Sequence, residues 1–482
     1  MIEMTNEYLD YLHHEALKLL NRKGVEAEGY ILSAVEKLDG VVQKGNRLFF
    51  DSEVVEDVLQ KNYCQLLEHG SGLQHSADII TIGVCDMPQY YMKPLSDEIQ
   101  IMTVESLIES TKFLESSQQT SKGVWSMVPG VPRDVPSQLQ AITEFYIGCE
   151  YCSNGGNVDT MHPEEAVDII SEMAIAMGGN IDSIGMFTIS PMRLGGFEME
   201  TAIKNIDKFK SFEISSLPTP AATAPIFITA AWIVSIAEVL AGAVVLYLLS
   251  GGKSVFISTG MFPFEPRKMW VAGGMPEHSI MEYQRSIIAK RYNPHIYHTH
   301  SMTTSAKQPS AQAAMEKTMG ATFAVQHGCR DFNTAGLLSF DDIFSPTQFV
   351  IDIEIRNTLY TYINGQTMPK EYQSLDMDWR DIIDEGLENG YTAADTTLNH
   401  YKDSIYFSEL LNRDVFQKNL IGSDGIFGTD MVKTAQEKAC DCINNYNYKP
   451  EENKIMEVRR IFNKAWEKFS NSEENPFKNV CF

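Results

Sequence analysis

The 482-residue chain has little of what would tie it to a nucleic acid, a membrane or a secreted scaffold. Basic residues are few: 39 Lys and Arg stand against 64 Asp and Glu, and the net charge of -25 argues against a phosphate backbone or an anionic lipid surface as partner. Eight cysteines are scattered from Cys64 to Cys481, too thinly for a disulfide-stapled fold, so a reducing cytoplasm is the expected compartment. The opening MIEMTNEYLDYLHHEALKLL lacks the basic start and unbroken apolar run of a signal peptide, and none is read. Low-complexity tracts and fixed-period repeats are absent, as are a GxGxxG turn and a GxSxG elbow. One long apolar run exists, IFITAAWIVSIAEVLAGAVVLYLL from Ile226 to Leu249, broken only by Glu238. Its length suits a membrane span. It follows a loop rich in Pro and Thr, precedes Gly251 and Gly252 and lies between two strand-like runs, so a buried helix and no membrane is the expectation.

What the chain does have is alternation. Strand-like runs are IITIGVC (79–85), VWSMVP (124–129), YIGCEYC (146–152), IGMFTIS (184–190), FEISSL (212–217), SVFIST (254–259), IYHTHS (296–301) and TFAVQH (322–327). Between and after them run helical stretches at 101–118, 134–145, 163–178, 196–209, 225–249, 276–291, 309–319 and 346–363. Strand then helix, eight times over, is the arithmetic of an α/β fold of the (β/α)8 TIM-barrel type, with a doubly wound sheet as the competitor. Residues 1–75 read as an N-terminal helical cap, 76–363 as the barrel and 364–482 as a C-terminal helical extension.

In such barrels chemistry collects at the C-terminal ends of the strands. Those ends carry DMPQYY (86–91), CEYCSN (149–154), GMFPFEPRKMW (260–270), HIYHTH (295–300) and QHGCRDF (326–332). Rings and histidines recur there without a dense acidic cluster, which suits a cationic or apolar ligand better than a hard metal. A zinc set would need His298 and His300 on one strand face with His327 at the end of the next strand. The histidines read instead as a hydrogen-bonded pair or pocket wall, and no metal is expected. Cys149 and Cys152 form a CxxC, but on a strand they would face opposite sides, and no second CxxC accompanies them.

The order of several segments resembles the trimethylamine methyltransferase (MttB) superfamily of corrinoid-dependent methyltransferases. They are HHEALKLLNRKGVE (13–26), LPTPAATAPIFITAAWIVSIAEVLAG (217–242), GGMPEHSIMEYQ (273–284), TSAKQPSAQAAMEK (304–317), SPTQFVIDIEI (345–355) and HYKDSIYFSELLNRD (400–414). The stretch AGLLSFDDIF (335–344) stands where the founding enzymes carry pyrrolysine, and it holds neither pyrrolysine nor lysine. The resemblance is thus to the non-pyrrolysine branch, which demethylates quaternary amines such as glycine betaine, proline betaine and carnitine. Ser305 and Ser310, where the family often has Asp, and Thr396, where it often has His, depart from the pattern.

The resemblance implies methyl transfer from a quaternary amine to Co(I) of a corrinoid, the cofactor being carried by a separate corrinoid protein. A homo-oligomer is expected. The leaving group is a neutral tertiary amine, so no general acid is required and no catalytic residue is assigned. A quaternary ammonium is held by rings, for which Tyr90, Tyr91, Phe262, Phe264, Tyr297 and Phe332 are the candidates. His298, His300, His327 and Arg330 are available for a substrate carboxylate. The alternatives are a metal-dependent hydrolase on the same barrel and a barrel that binds a methylated ligand without turnover.

Overall fold

The computed structural model describes residues 3–36, 38–69, 79–96, 98–157, 164–296, 298–364, 374, 376, 378–413 and 430–470. Runs with an apolar side chain at every second position become strands buried on one face. Ser183–Phe187, Ser211–Ser216 and Ser254–Thr259 form one parallel sheet with Ser211–Ser216 in the middle. A second parallel ladder runs through Thr299–Ser301, Asp331–Asn333, Thr81–Gly83 and Val124–Trp125. Helices connect these strands in the chain, which makes the protein α/β.

Among the described residues no ladder joins the two sheets into a closed barrel. Side-chain amides occupy the positions where neighbouring strands would pair. Along the outer edge of Ser254–Thr259, Asn62 exchanges two 2.7 Å hydrogen bonds with the backbone of Val255. Asn293 does the same for Ile257, accepting from its N–H at 3.0 Å and donating to its carbonyl. At the other seam Asn154 donates to the Ser126 carbonyl at 2.8 Å, and Asn157 accepts from the Val128 N–H at 3.3 Å. Each amide satisfies edge groups that would otherwise be left unpaired.

Two expected strands are helices. YIGCEYC lies in helix Gln140–Tyr151, in which every residue from Ala141 onward is buried, so no polar face betrays the period. TFAVQH lies in helix Ala311–Gln326, whose buried Ala313, Glu316, Lys317, Ala321 and Ala324 recur at helical spacing. The strand belonging to that part of the chain is Asp331–Asn333. The N-terminal segment also holds more than helices: Val41–Lys44 and Arg47–Phe50 form a hairpin that pairs with Val25–Ala27.

Helix Ile228–Leu249 is long and apolar enough to cross a membrane, yet 78% of its most apolar window is buried inside the protein. Strands Ser211–Ser216 and Ser254–Thr259 cover part of it, and helices Asn6–Lys23 and Ser52–His69 pack on it as well. Covered on several sides, it must be apolar nearly all round. Its Glu238 accepts from Ser190 Oγ at 2.7 Å, Thr188 Oγ1 at 3.1 Å and the Met192 N–H at 2.7 Å, which pins the loop after Ser183–Phe187. Helices Met431–Asn444 and Glu452–Phe469 pack against four helices of the preceding chain, and Arg459 pairs with the buried Glu150.

Gly242 lets the long helix pack closely on the sheet: a Cβ there would stand 2.8 Å from Ile214 Cγ1. Gly242→Val should therefore destabilise the fold by about 1–3 kcal/mol, the usual cost of overpacking. The check is urea unfolding of the variant beside the parent; an unchanged midpoint would show that the sheet yields.

Candidate functional site

Each sheet has a face packed on helices and an open face. Ile214 meets Gly242, and Ser216 Oγ lies 2.6 Å from Ser235 Oγ, so Glu213 and Ser215 project the other way. The register Gly185–Glu213–Phe256 and Phe187–Ser215–Ser258 carries that open face across the sheet. In the second sheet His300 faces Gly320 of helix Ala311–Gln326, so Thr299 and Ser301 lie on the opposite side, where Thr299 Oγ1 accepts from Arg285 and Ser301 Oγ donates to Glu282 of helix Pro276–Tyr292. Asp331 and Thr81 stand level with Thr299, and Trp125 stands level with Gly83. Phe256 is 42% and Trp125 52% exposed, so rings and polar groups on these faces are reachable by a ligand. Thr81 donates its hydroxyl hydrogen to Asp331.

The expected site residues divide. Phe262 joins a ring cluster at the end of the Ser254–Thr259 strand: its centroid is 4.7 Å from Phe340 and 5.6 Å from His278. Phe264 pairs with Val271 in a short hairpin beyond it. Tyr90 is exposed although its strand is paired on both sides, whereas Tyr91 is buried and donates to Glu109. Tyr297 lies outside the described residues. Phe332 and His300 are ladder partners that point together into the helical layer, with ring centroids 6.1 Å apart. His298 shares that orientation, next to Tyr283 of helix Pro276–Tyr292. His327 caps helix Ala311–Gln326, with Nδ1 2.8 Å from the Phe323 carbonyl. Arg330 donates to the Val325 and Cys329 carbonyls. Because the strand is Asp331–Asn333, His327 and Arg330 precede it and stand at the end opposite to that expected.

The histidines are a buried cluster between sheet and helices. His300 Nδ1 donates to the Ser301 carbonyl at 2.8 Å, and His278 Nδ1 lies 2.9 Å from Thr303 Oγ1. The Nε2 atoms of His278, His298 and His300 are buried without a hydrogen-bond partner among the described residues. Burial is the main reason that the imidazoles of His298 and His300 are pushed down to about 4, so both are neutral near pH 7. Among the described residues no group of three or more His, Cys, Asp or Glu side chains converges as a metal site.

Sequence comparison now places the molecule. The family model for trimethylamine methyltransferase (MTTB) matches residues 1–462. The chain belongs to the trimethylamine methyltransferase family. It is therefore a methyltransferase. It is 21% identical over 427 residues to the glycine betaine methyltransferase of Desulfitobacterium hafniense, covering 86% of this chain and 87% of that one. It is 25% identical over 264 residues to trimethylamine methyltransferase MttB of Methanosarcina thermophila, which spans 54% of this chain and about half, 52%, of the relative. The crystal structure of Methanosarcina barkeri monomethylamine methyltransferase superposes with a TM-score of 0.43 at 11% identity, over 98% of this chain and 88% of that chain.

Two of the family-like segments meet in a fully buried ion pair. Lys317 Nζ, from TSAKQPSAQAAMEK, is 2.7 Å from Asp352 Oδ2, from SPTQFVIDIEI, and both side chains have zero exposure. Asp352 also accepts from the Gly336 N–H at 2.7 Å and from Gln348 at 2.8 Å, which fixes the loop after Asp331–Asn333. That loop carries Phe340 to Phe262. The departures from the family pattern have local accounts. Ser310 caps helix Ala311–Gln326, a task that Asp performs equally well. Ser305 donates to the Gly273 carbonyl at 2.8 Å, which an ionised Asp could not do. Thr396 donates to Glu385 at 2.7 Å in an exposed helical turn.

Two outcomes test this geometry. Lys317→Met alone should cost about 3–5 kcal/mol by stranding a buried carboxylate, while Lys317→Met with Asp352→Leu should recover most of it. Chemical denaturation of both variants decides, and equal losses would mean that packing rather than charge holds the loop. The second concerns acid. An ordinary histidine pKa near 6.5 falls to about 4 in the folded protein for His298 and His300, so between those values only the unfolded chain binds the protons. Their contribution is complete above about 6.5 and is lost as pH falls toward 4. His300→Gln should flatten the fall in urea midpoint across that window; an unaltered slope would exclude His300 as its source.

Proposed function

We propose that this methyltransferase moves a methyl group from a quaternary amine to Co(I) of a corrinoid carried by a separate protein, and that it does so in the cytoplasm. The glycine betaine methyltransferase among its relatives supports the donor class. The observation that carries the reading is the open face of the sheets, where rings stand beside carboxylates: Phe187 and Phe256 with Glu213, and Trp125 on the sheet of Asp331. The two ladder orders, 124–125, 81–83, 331–333, 299–301 and 254–259, 211–216, 183–187, support reading the sheets as two parts of a (β/α)8 frame. On that frame the two open faces are arcs of one lumen, and Phe262 stands at its mouth.

The corrinoid supplies the nucleophile, and the protein supplies a place in which the N–CH3 axis is held and water is excluded. Rings attract the cation by roughly 0.5–2 kcal/mol each, without demanding a proton from the leaving amine. The cation becomes neutral as the methyl leaves, so contacts that grip the positive charge too tightly would favour the ground state over the transition state. Rings with partly solvated carboxylates strike that balance better than a fully buried anion.

The test is a panel of quaternary amines incubated with the protein and Co(I) cobalamin, with methylcobalamin followed by its visible spectrum. At least one amine should react, and Phe256→Ala should lower kcat/KM about 10-fold, the equivalent of one cation–π contact. If no amine yields methylcobalamin with free cobalamin or with a corrinoid carrier, the reading is rejected.

A further inference from the structure

We infer that the methyl acceptor docks on one side of the site only, with its corrin against the loops that follow Ser183–Phe187, Ser211–Ser216 and Ser254–Thr259. The inference rests on the methyl-transfer reading above and names a contact surface for the acceptor.

Those three strands are parallel neighbours, so their loops emerge at one end of the sheet. Helices Phe197–Lys204, Ile228–Leu249 and Pro276–Tyr292 lead from that end back toward the start of the next strand, which fixes where their first turns lie. Large apolar side chains stand exposed there: Phe197 at 71%, Ile226 at 64%, Phe227 at 78% and Met269 at 73%, with Trp270 half-exposed next to it. Single exposed apolar residues are ordinary, but a group of them on adjoining loops is the kind of patch that marks a contact surface, and rings and methionine are enriched where proteins meet.

The chemistry of the central loop selects the occupant. From Ile214 to Ala237 the chain contains no ionisable side chain, although the protein as a whole carries a net charge of -25. The loop is set before a partner arrives: the Thr219 carbonyl accepts from the N–H groups of Ala222, Thr223 and Ala224 at 2.9, 2.9 and 3.2 Å, and Ala221 is held at a φ of 75°. Beyond it the N–H groups of Ile226 to Ala230 make no hydrogen bond among the described residues, because Phe227 offers no capping oxygen to helix Ile228–Leu249. A corrin is a broad ring edged with methyl groups and neutral amides. An uncharged face that combines rings with free N–H donors fits that edge. The strand that leads to Met269 and Trp270 also carries Phe256, so this surface and the proposed donor face share one sheet. Hairpin 90–101, on the side of the second sheet, exposes Leu95, Ile99 and Ile101 as well, but interleaves them with the exposed Lys93 and Glu98, whose charges a neutral corrin edge does not pair.

Hydroxocobalamin serves as the free corrin, and its binding to the full chain is measured by equilibrium dialysis, apart from any methyl transfer. Phe227→Asp is the decisive variant. Asp is a good N-cap for the helix that starts at Ile228, so it removes the ring and occupies the free N–H groups without weakening the fold. It should weaken hydroxocobalamin about 10-fold, the worth of one buried ring, while Leu95→Asp leaves the affinity unchanged. An unchanged affinity in Phe227→Asp, an equal loss in Leu95→Asp, or no saturable binding by the parent would overturn the inference. So would a loss of self-association or of binding to phosphatidylcholine vesicles in Phe227→Asp with the hydroxocobalamin affinity intact, since the patch would then belong to a second copy or a lipid surface. Binding that depends on Phe227, with no amine yielding methylcobalamin, would uphold the docking surface and count against the methyl-transfer reading. Methyl transfer that Phe227→Asp leaves at the parent's rate would do the reverse.

Discussion

The arrangement depends on one buried ion pair. Lys317 and Asp352 lie on successive helices, fully removed from water, and neither could stay charged there without the other. Removing two ions from solvent is expensive, and the expense is met only because Asp352 also collects the Gly336 N–H and the Gln348 amide. The loop that begins at Gly336 is thereby held against Pro346–Asn364, and Ser339 and Phe340 keep left-handed backbone angles, with φ of 53° and 73°. Phe340 in that conformation reaches Phe262 and His278, joining the ends of distant strands. A chemically inert interaction thus sets the shape of the loop cluster around Phe262.

A comparable division of labour operates in Glu316, the residue before Lys317. It accepts from Thr304 Oγ1 at 2.6 Å, the Ser305 N–H at 2.8 Å and Gln312 at 2.8 Å, tying the loop after Thr299–Ser301 to the helix that follows. Adjacent positions on one helix therefore fix the loops at the ends of two neighbouring strands. This gives a physical reason for TSAKQPSAQAAMEK to stand out as a segment: it holds the cap, the carboxylate and the ammonium that order this part of the rim.

Much of the architecture was legible from alternation. IGMFTIS, FEISSL and SVFIST each became a strand within three residues of its expected bounds. YIGCEYC was misread because no period shows when the whole helix is buried, and TFAVQH because six residues are too short a window to reveal the helical spacing of Ala313, Glu316, Lys317, Ala321 and Ala324. That error carried forward, since taking 322–327 as a strand put His327 and Arg330 at the wrong end of the sheet. The histidines drew attention by clustering in sequence, whereas the groups on the open faces, such as Glu213, Ser215 and Phe256, are dispersed and chemically plain. Their signal was the other half of the alternation: in SFEISS and SVFIST the residues between the buried ones are serines, one acid and one ring.

The asparagine seams have a consequence for the chemical ageing of the protein. An asparagine deamidates when the backbone nitrogen of the next residue attacks its side-chain amide, and the resulting aspartate loses its donor N–H. Asn293, which caps Ile257, is followed by Pro294, whose nitrogen carries no hydrogen and cannot complete that ring closure. Asn154, which caps Ser126, is followed by Gly155, the least hindered of neighbours. There the nitrogen is restrained by its 3.0 Å hydrogen bond to the Cys152 carbonyl. Asn293 is thus protected by covalent constitution, and Asn154 by a turn that has to stay folded.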